Sequence, residues 1–383
     1  MEYKKLGDIA TYINGYAFKP EQRGSEGLPI IRIQDLTGNA YDLGYYNGDY
    51  PKKVELNDGD VLISWSASLG VYLWNRGKAL LNQHIFKVVF DKVEIDKFYF
   101  MYAVEYNLDK MSLKTHGATM KHITKKDFDN VVIPYPDLDY QKEVAYRLTS
   151  LKGIIEKYQK QLDLLDELIK ARFVEMFGDP MINPYEWKII NISEVLRAKA
   201  SNGFFSRRDD YCDDGNVKVL GVANVVNRMY SQVVDLPRTN ANEKDIEKFE
   251  VKYGDMLFCR SSLVAEGIGK ASIIPEGVQT NILFECHVIR LPLDLDKCVP
   301  EFLQTLSTTK FFRNQIISKS KTATMTTIGQ DGILKTNIIL PPLEKQKEYY
   351  NFVKQIDKSR SRIQKSLEAS QELFDSLMQE YFG

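Results

Sequence analysis

The stretch that decides the fold is LDYQKEVAYRLTSLKGIIEKYQKQLDLLDELIKARFVEMFG, residues 138–178, because the chain carries a second copy of it. That copy, from LEKQKEY to EYFG, occupies residues 343–383, at a constant offset of 205 residues (138 to 343). The match extends upstream, since ATM at 118–120 has its counterpart in ATM at 323–325. A chain that repeats itself in this way is built from two copies of one structural unit.

Each copy predicts a long helix. Its apolar residues recur at alternating spacings of three and four, which is typical of a coiled-coil seam. A helix of roughly 35–40 residues is about 55–60 Å long, so we expect the two helices to pair antiparallel, although each could instead pack on its own domain. Arg360 and Ser370 interrupt the second seam. The seam residues are Leu148, Leu151, Ile155, Tyr158, Leu162, Leu165 and Ile169 in the first copy, and Val353, Ile356, Ile363, Leu367, Phe374 and Leu377 in the second.

The rest of the chain mixes short β-type runs, such as LPIIRI and VKVLGV, with Gly, Asn and Asp turns. Helices are predicted around 97–112 and 299–317. The fold class is therefore α+β: two globular strand-rich domains, joined and separated by two long antiparallel helices that form a coiled coil, with an internal pseudo-two-fold repeat. The predicted boundaries are 1–137 and 179–341 for the two bodies, and 138–178 and 342–383 for the two helices.

Composition restricts the function classes. The 383 residues are 44% hydrophobic and 27% charged, which is typical of a globular protein of about two domains. Every apolar run is too short to span a bilayer, and MEYKKLGDIA lacks the core of a secretion signal. The net charge is −1, whereas a protein that grips DNA alone is usually basic, so any DNA contact must rest on local patches or on partner subunits. The cysteines predict structural thiols in a reducing cytoplasm; they are Cys212, Cys259, Cys286 and Cys298.

The motifs that resemble catalytic signatures all fail. NPYEW (183–187) lacks one proline of the NPPY signature of amino-methyltransferases, and GIGKA (267–271) lacks the first glycine and the Ser/Thr of a P-loop. EVK (250–252) has the ExK form of metal-dependent nucleases, but ELN (55–57) occupies the same place in the repeat, so a strand end explains it better. His84 and His287 have no partners at metal-ligand spacing. The sequence predicts no catalytic or metal site.

The order of the motifs resembles the specificity subunit of type I restriction-modification systems. GDVLIS, NQH and GATMKHI followed by IPYP come in that order, then LDYQKE leads into a long helix that ends in FG. The resemblance covers essentially the whole chain, and its strength lies in the duplicated order. The second copy lacks the NQH triplet and reads QTNILF (279–284) instead.

That resemblance implies two target-recognition domains, each reading one part of a bipartite, asymmetric sequence in double-stranded DNA. The helices set the gap and dock two methyltransferase subunits. The methyltransferase subunits carry out the S-adenosylmethionine chemistry on adenine, and restriction subunits use ATP and Mg²⁺. The resemblance therefore implies that this chain itself binds no cofactor and catalyses nothing. It also implies a cytoplasmic protein that contacts no membrane. A coiled-coil scaffold without sequence-specific DNA contact, and a stand-alone methyltransferase or nuclease, remain as alternatives.

Side chains with suitable donors and acceptors are candidates for DNA contact, since Arg, Asn, Gln, Ser and Thr can address base edges and basic loops suit phosphates. Thr124 and Asp127, directly after the HGATMKHI loop, resemble a capping box. Trp65 is expected to pack rather than stack on a base. The candidates are Arg32, Gln34, Ser64, Ser66, Ser68, Asn82, Gln83, His116, Thr119, Lys121, His122, Lys125, Arg207, Arg208, Asn224, Asn227, Arg228, Arg260, Ser261, Ser262, Lys319 and Lys321.

Overall fold

The computed structural model describes residues 2–39, 42–114 and 123–383. The chain divides into two compact units: unit 1 is Met1–Lys160 with Gln364–Gly383, and unit 2 is Gln161–Ile363. Each unit is a mixture of short strands and helices, which confirms the α+β class. The division cuts both long helices, so the boundaries predicted between bodies and helices stay a prediction.

The described residues of unit 1 form two four-stranded sheets and a two-stranded one, in the orders β2-β9-β6-β7, β4-β3-β8-β5 and β1-β10. The β3–β8 pairing is parallel and the others are antiparallel. Its described strands are β1 Tyr3–Lys5, β2 Thr11–Asn14, β3 Leu28–Ile31, β4 Tyr45–Tyr46, β5 Glu55–Leu56, β6 Val61–Ser64, β7 Gly70–Leu73, β8 Ala79–Leu81, β9 Ile85–Val89 and β10 Val132–Pro134. Its shorter helices are α1 Leu6–Ile9, α2 Ile33–Leu36, α3 Lys97–Lys114 and α4 Lys125–Asp129.

Helix α5, Leu138–Phe177, begins after a proline-rich strand end and has 40 residues. Unit 2 follows with sheets in the orders β12-β19-β15-β17, β14-β13-β18, β16-β21-β20 and β11-β22. Its strands are β11 Lys188–Asn191, β12 Ser201–Asn202, β13 Val217–Leu220, β14 Arg238–Thr239, β15 Asp255–Cys259, β16 Ser261–Ser262, β17 Ala271–Ile273, β18 Ile282–Phe284, β19 Val288–Pro292, β20 Lys321–Thr322, β21 Thr326–Thr327 and β22 Asn337–Leu340. Its helices are α6 Glu243–Phe249, α7 Pro300–Thr308, α8 Lys310–Ser318 and α9 Gln330–Leu334, and the chain ends in α10, Leu343–Phe382.

The repeat extends through both bodies. Each unit has a four-stranded antiparallel sheet in which one inner strand, β6 or β15, comes at a Gly-Asp pair. Each unit also has a second sheet that contains a parallel strand pair, β3–β8 in unit 1 and β13–β18 in unit 2. The helix predicted around 299–317 is in fact two helices, because the chain turns at Thr309. The Thr309 hydroxyl accepts a hydrogen bond from Phe312 N–H (3.5 Å) and so caps α8.

The Gly-Asp pair has the same structural role in both units. The Asp60 carboxylate lies 2.7 Å from Lys87 Nζ, and the Asp255 carboxylate lies 3.9 Å from Arg290 Nη1. Lys87 and Arg290 occupy the same position in β9 and β19, and each also donates to a backbone carbonyl oxygen, at 2.8 Å and 2.7 Å. The glycines before the two aspartates have φ angles of 92° and 87°, in the region that favours glycine. The motif therefore fixes a turn and is not part of a site.

Within unit 2, α5 and α10 run antiparallel. Asp166 Oδ1 lies 2.5 Å from Arg360 Nη2, and further along α5 Arg172 Nη2 lies 3.6 Å from Glu348 Oε1, which is earlier in α10. Tyr349 donates its hydroxyl to Ile169 O (3.3 Å). Arg360, which interrupts the apolar seam, therefore forms an ion pair across the helix pair.

Within unit 1 the two helices also run antiparallel. The rings of Tyr140 and Tyr381 lie 6.5 Å apart. Tyr102 of α3 contacts Thr149, with 3.2 Å between the hydroxyl oxygens, and the ring of Phe374 at 6.1 Å. Later positions of α5 therefore lie beside earlier positions of α10, as in an antiparallel pair.

The predicted seam residues are all buried or half-buried. Apolar residues off the seam are different, since Leu164 and Leu168 are 49% and 45% exposed. Burial therefore follows the alternating spacing and not apolar character alone. Within the described ranges, no helix combines the length and the apolar character needed to cross a bilayer.

A buried carboxyl in unit 2 gives its stability a pH dependence. Glu301 in the first turn of α7 is 1% exposed, and its carboxyl accepts a hydrogen bond from the Tyr230 hydroxyl (3.2 Å). Burial, together with Glu276 and Asp357 nearby, raises the pKa of Glu301 from 4.5 to about 7. The folded state therefore holds this proton more tightly than the unfolded state. The cost of ionisation is absent below pH 4.5, grows as the pH rises, and is fully present above about pH 7.

The variant Glu301→Gln removes that titration and keeps an acceptor for Tyr230. We expect it to stabilise unit 2 by up to roughly 3 kcal/mol at pH 8, since each unit of pKa shift corresponds to about 1.36 kcal/mol, and to have little effect near pH 4.5. Urea unfolding at both pH values measures this difference. An equal change at the two pH values would show that the buried carboxyl does not set the pH dependence.

Candidate nucleic-acid interface

In unit 2, the residue after β15 joins segments that are distant in sequence. Arg260 N–H donates to the carbonyl oxygen of His287 (2.8 Å), and Arg260 C=O accepts from Ile328 N–H (3.0 Å). Ser261 Oγ lies 2.9 Å from His287 Nδ1. Strand β16 pairs with β21, which follows the ATM copy. We call Arg260, His287 and Ile328 the unit 2 junction.

Unit 1 contains the same junction. Trp65 N–H donates to the carbonyl oxygen of His84 (3.4 Å), and Trp65 C=O accepts from Ile123 N–H (3.1 Å). The Trp65 ring meets the His84 ring edge to face at 5.1 Å and stacks on Phe86 at 5.5 Å. The packing role predicted for Trp65 is therefore confirmed. The unit 1 junction is Trp65, His84 and Ile123.

The two units also share an Asn-Gly-aromatic segment that lies against the strand leading to the junction histidine. The sequence NGY at 14–16 and the sequence NGF at 202–204 each pass close to the parallel strand pair. Tyr16 N–H donates to the last residue of β8 (2.8 Å), and Phe204 N–H donates to the last residue of β18 (2.7 Å). The middle glycine allows the two backbones to approach, because an added Cβ would meet a carbonyl oxygen at 1.9 Å in unit 1 and at 2.2 Å in unit 2.

An open cleft of about 530 Å³ lies beside the unit 2 junction. Lys270 Nζ donates to Asn227 Oδ1 there (2.6 Å), and Leu263 and Val264 are 82% and 59% exposed. Polar donors and acceptors beside exposed apolar groups suit the edges of bases and the thymine methyl. The polar residues that line the cleft are Asn227, Ser261, Ser262, Lys270, Glu285 and His287.

Several unit 1 candidates have roles inside the fold. Arg32 is 9% exposed, and its Nε and Nη2 lie 2.9 Å and 3.2 Å from the two carboxylate oxygens of Asp35. Ser64 is fully buried, and its hydroxyl donates to the backbone of Ser68. Burial weighs against direct contact with bases for Arg32, Ser64, Ser66 and Asn82. Among the described residues of unit 1, the exposed candidates are Gln34, Ser68, Gln83 and Lys125.

The unit 2 candidates also divide into residues that form hydrogen bonds within the fold and residues that are exposed or half-buried. Asn224 Oδ1 accepts from Gly221 N–H (3.0 Å), and Arg228 Nη1 donates to Gln232 Oε1 (2.9 Å). Lys319 Nζ donates to a backbone carbonyl oxygen at 2.6 Å, and burial lowers the pKa of Lys319. Arg208 begins the short turn Arg208–Asp210. Arg207, Asn227 and Lys321 are exposed, and Arg260, Ser261 and Ser262 are half-buried at the junction.

The basic loop of unit 1 is described only at its end. His116, Thr119, Lys121 and His122 lie outside the described residues. Lys125 is exposed in α4, with its Nζ 2.6 Å from Asp129 Oδ2. Thr124 Oγ1 accepts from Asp127 N–H (3.1 Å), which confirms Thr124 as the N-cap.

The interpretation of QTNILF (279–284) as the replacement for NQH is wrong. NQH (82–84) connects β8 to β9, and the segment that connects β18 to β19 is ECH (285–287). Both copies therefore keep the histidine. Sequence reasoning missed it because insertions in the bodies change the offset from 205 to 203 residues (84 to 287).

Among the residues that the structure describes, no group of three or more His, Cys, Asp and Glu side chains is placed to hold a metal ion. All four cysteines are free thiols, with Cys259 and Cys298 buried.

Comparison with known families gives a match over most of the chain. The model of the type I restriction modification DNA specificity domain matches residues 1–165 and again residues 184–371. The two matched segments correspond to the two copies of the repeat.

Individual proteins agree with that match. The chain is 22% identical to the type I restriction enzyme EcoBI specificity subunit of Escherichia coli, over 94% of this chain and 80% of that one. It is 24% identical to the MjaVIII specificity subunit of Methanocaldococcus jannaschii, over 93% and 86%. Among solved structures, the S subunit of a type I restriction-modification system from M. genitalium has a TM-score of 0.57 at 12% identity, over 100% and 96%. At that identity the likeness shows the fold alone.

Proposed function

The chain belongs to the type I restriction-modification DNA specificity family, so its role is DNA target recognition rather than catalysis, and we propose that each unit reads one part of a bipartite, asymmetric DNA target. The observation that carries this proposal is the duplicated junction. Both units have the same backbone framework there, but the residue before the junction histidine is Gln83 in unit 1 and Cys286 in unit 2. One framework with different side chains is suited to reading two different sequences.

The proposed base-reading residues that the structure describes are exposed or half-buried. In unit 2 they are Asn227, Arg260, Ser261 and Ser262, which can donate to or accept from base edges. In unit 1 they are Gln34, Ser68 and Gln83. The loop from His116 to His122, which lies outside the described residues, is proposed from its sequence alone. Arg207, Lys125 and Lys321 are proposed phosphate contacts, because they are exposed cations.

The paired helices are the proposed spacer. Each is a continuous helix of 40 residues, about 60 Å long at 1.5 Å per residue. A braced pair of that length would keep the unread gap constant. Half-sites about one helical turn apart, roughly 10 base pairs, would face the same side of the duplex.

The catalytic chemistry belongs to partners in this proposal. Two methyltransferase subunits would dock on the helices and bind S-adenosylmethionine, and restriction subunits with ATP and Mg²⁺ would join for cleavage. Such partners would also supply much of the positive surface that a chain with a net charge of −1 lacks. The proposed place of action is the cytoplasm, where the DNA target lies.

The proposal is tested by co-expressing this chain with a methyltransferase encoded in an adjacent reading frame and mapping the methylated adenines. We expect one asymmetric two-part sequence with a constant gap. A scaffold without DNA contact would give no sequence-dependent binding even with partners present, and a stand-alone enzyme would show turnover from the purified chain. Either result would contradict the proposal.

A further inference from the structure

The junction histidines are the same residue in two units whose surroundings differ. His84 O and His287 O accept the equivalent backbone hydrogen bond, from Trp65 and from Arg260. The residues before them differ, with Asn-Gln in unit 1 and Glu-Cys in unit 2. Both histidine side chains are exposed. Neither ring is therefore part of a buried core.

Both rings are nevertheless held in place. In unit 2, His287 Nδ1 lies 2.9 Å from Ser261 Oγ, so the other ring nitrogen, Nε2, is the one available to a ligand in the cleft that His287 lines. In unit 1, the edge-to-face contact with Trp65 at 5.1 Å orients the His84 ring. His84 has a φ of 72°, a left-handed conformation that few residues with a side chain adopt. Two different neighbours thus orient the same side chain.

We propose that His84 and His287 each bind a phosphate of the DNA backbone through a ring N–H. The inference rests on the proposed function, in which the two units read different bases. What two different half-sites have in common is the phosphodiester backbone, so a residue common to both junctions matches that shared chemistry. The residues that differ at the junctions are left to read the bases. An imidazole N–H is a suitable donor to a phosphate oxygen in either the neutral or the protonated ring.

The test uses the full chain assembled with its methyltransferase and the variants His287→Ala, His287→Gln and His84→Gly. Glycine is chosen at 84 because it accepts the positive φ, and glutamine keeps an N–H donor. A hydrogen bond to a charged group contributes about 1.4 kcal/mol or more, so we expect His287→Ala to weaken binding about ten-fold. The loss should be equal on target and on unrelated duplexes, the methylated sequence should be unchanged, and His287→Gln should restore most of the affinity.

His84→Gly should give the same result, and the double variant about a hundred-fold loss, because effects at independent sites multiply. A changed base in the methylated half-site, or a loss confined to target DNA, would show that the histidines read bases and would overturn the inference. Unchanged affinity for every duplex would overturn it as well. A wild-type assembly without sequence-dependent binding would instead refute the proposed function on which it rests.

Discussion

Replacing Gly203 by alanine is expected to unfold the part of unit 2 that carries its junction. An alanine Cβ at this position would lie 2.2 Å from the carbonyl oxygens of Phe284 and Glu285, and backbone atoms of a paired strand cannot move away at small cost. We expect a loss on the order of 4 kcal/mol or more in the free energy of unfolding. Urea unfolding, with hydrogen exchange of the peptides that cover β12, β18 and β19, measures it.

Gly329→Ala is the matched control in the same unit. An added Cβ there meets nothing within 4 Å, and its φ is −87°. We expect a loss of only about 1 kcal/mol, the typical cost of alanine at an N-cap position, where glycine is the better residue. Gly15→Ala should destabilise unit 1 as Gly203→Ala destabilises unit 2. Equal urea midpoints for Gly203→Ala and Gly329→Ala would show that the close backbone approach is not needed.

Replacing Phe173 by alanine is expected to cost about 3–5 kcal/mol of unit 2 stability. Its ring is 1% exposed and lies 5.0 Å from Phe177, 5.6 Å from Phe302 and 5.7 Å from Tyr349. These aromatic residues come from the end of α5, from α7 and from the start of α10. The variant would leave a cavity where both helices are anchored on the sheets of unit 2.

The control for this variant is Val174→Ala, the next residue of the same helix, which is 50% exposed. We expect it to change stability by about 0.5 kcal/mol or less. Thermal unfolding followed by circular dichroism, at one protein concentration, compares the two. Similar losses for both variants would mean that the aromatic cluster does not set the stability at this point, since alanine has the higher helix propensity at both positions.

The long helices could be predicted from the sequence because their pattern is local and occurs twice. A spacing of three and four residues places the seam on one face whatever the rest of the chain does. Arg360 breaks that spacing, and its partner Asp166 is 194 residues away in sequence. The ion pair could therefore not be predicted from either helix alone.

The candidate DNA contacts were harder to predict because residue type does not determine exposure. Arg32 has the right chemistry for guanine but pairs with Asp35, three residues later, and is buried. The burial of Ser64 could have been predicted from the repeat. Aligning the two Gly-Asp pairs places Ser64 at the position of Cys259, and cysteine is typical of the protein interior. The equivalence of His84 and His287 depends on hydrogen bonds between distant strands, and an alignment without gaps does not contain that information.

The most direct test of the account is to insert one heptad into both α5 and α10 and to map the methylated adenines again. Seven residues add about 10 Å of helix, which corresponds to about three base pairs at 3.4 Å per step. The account predicts that the gap lengthens while both half-sites keep their bases. An unchanged gap together with altered half-sites would contradict it.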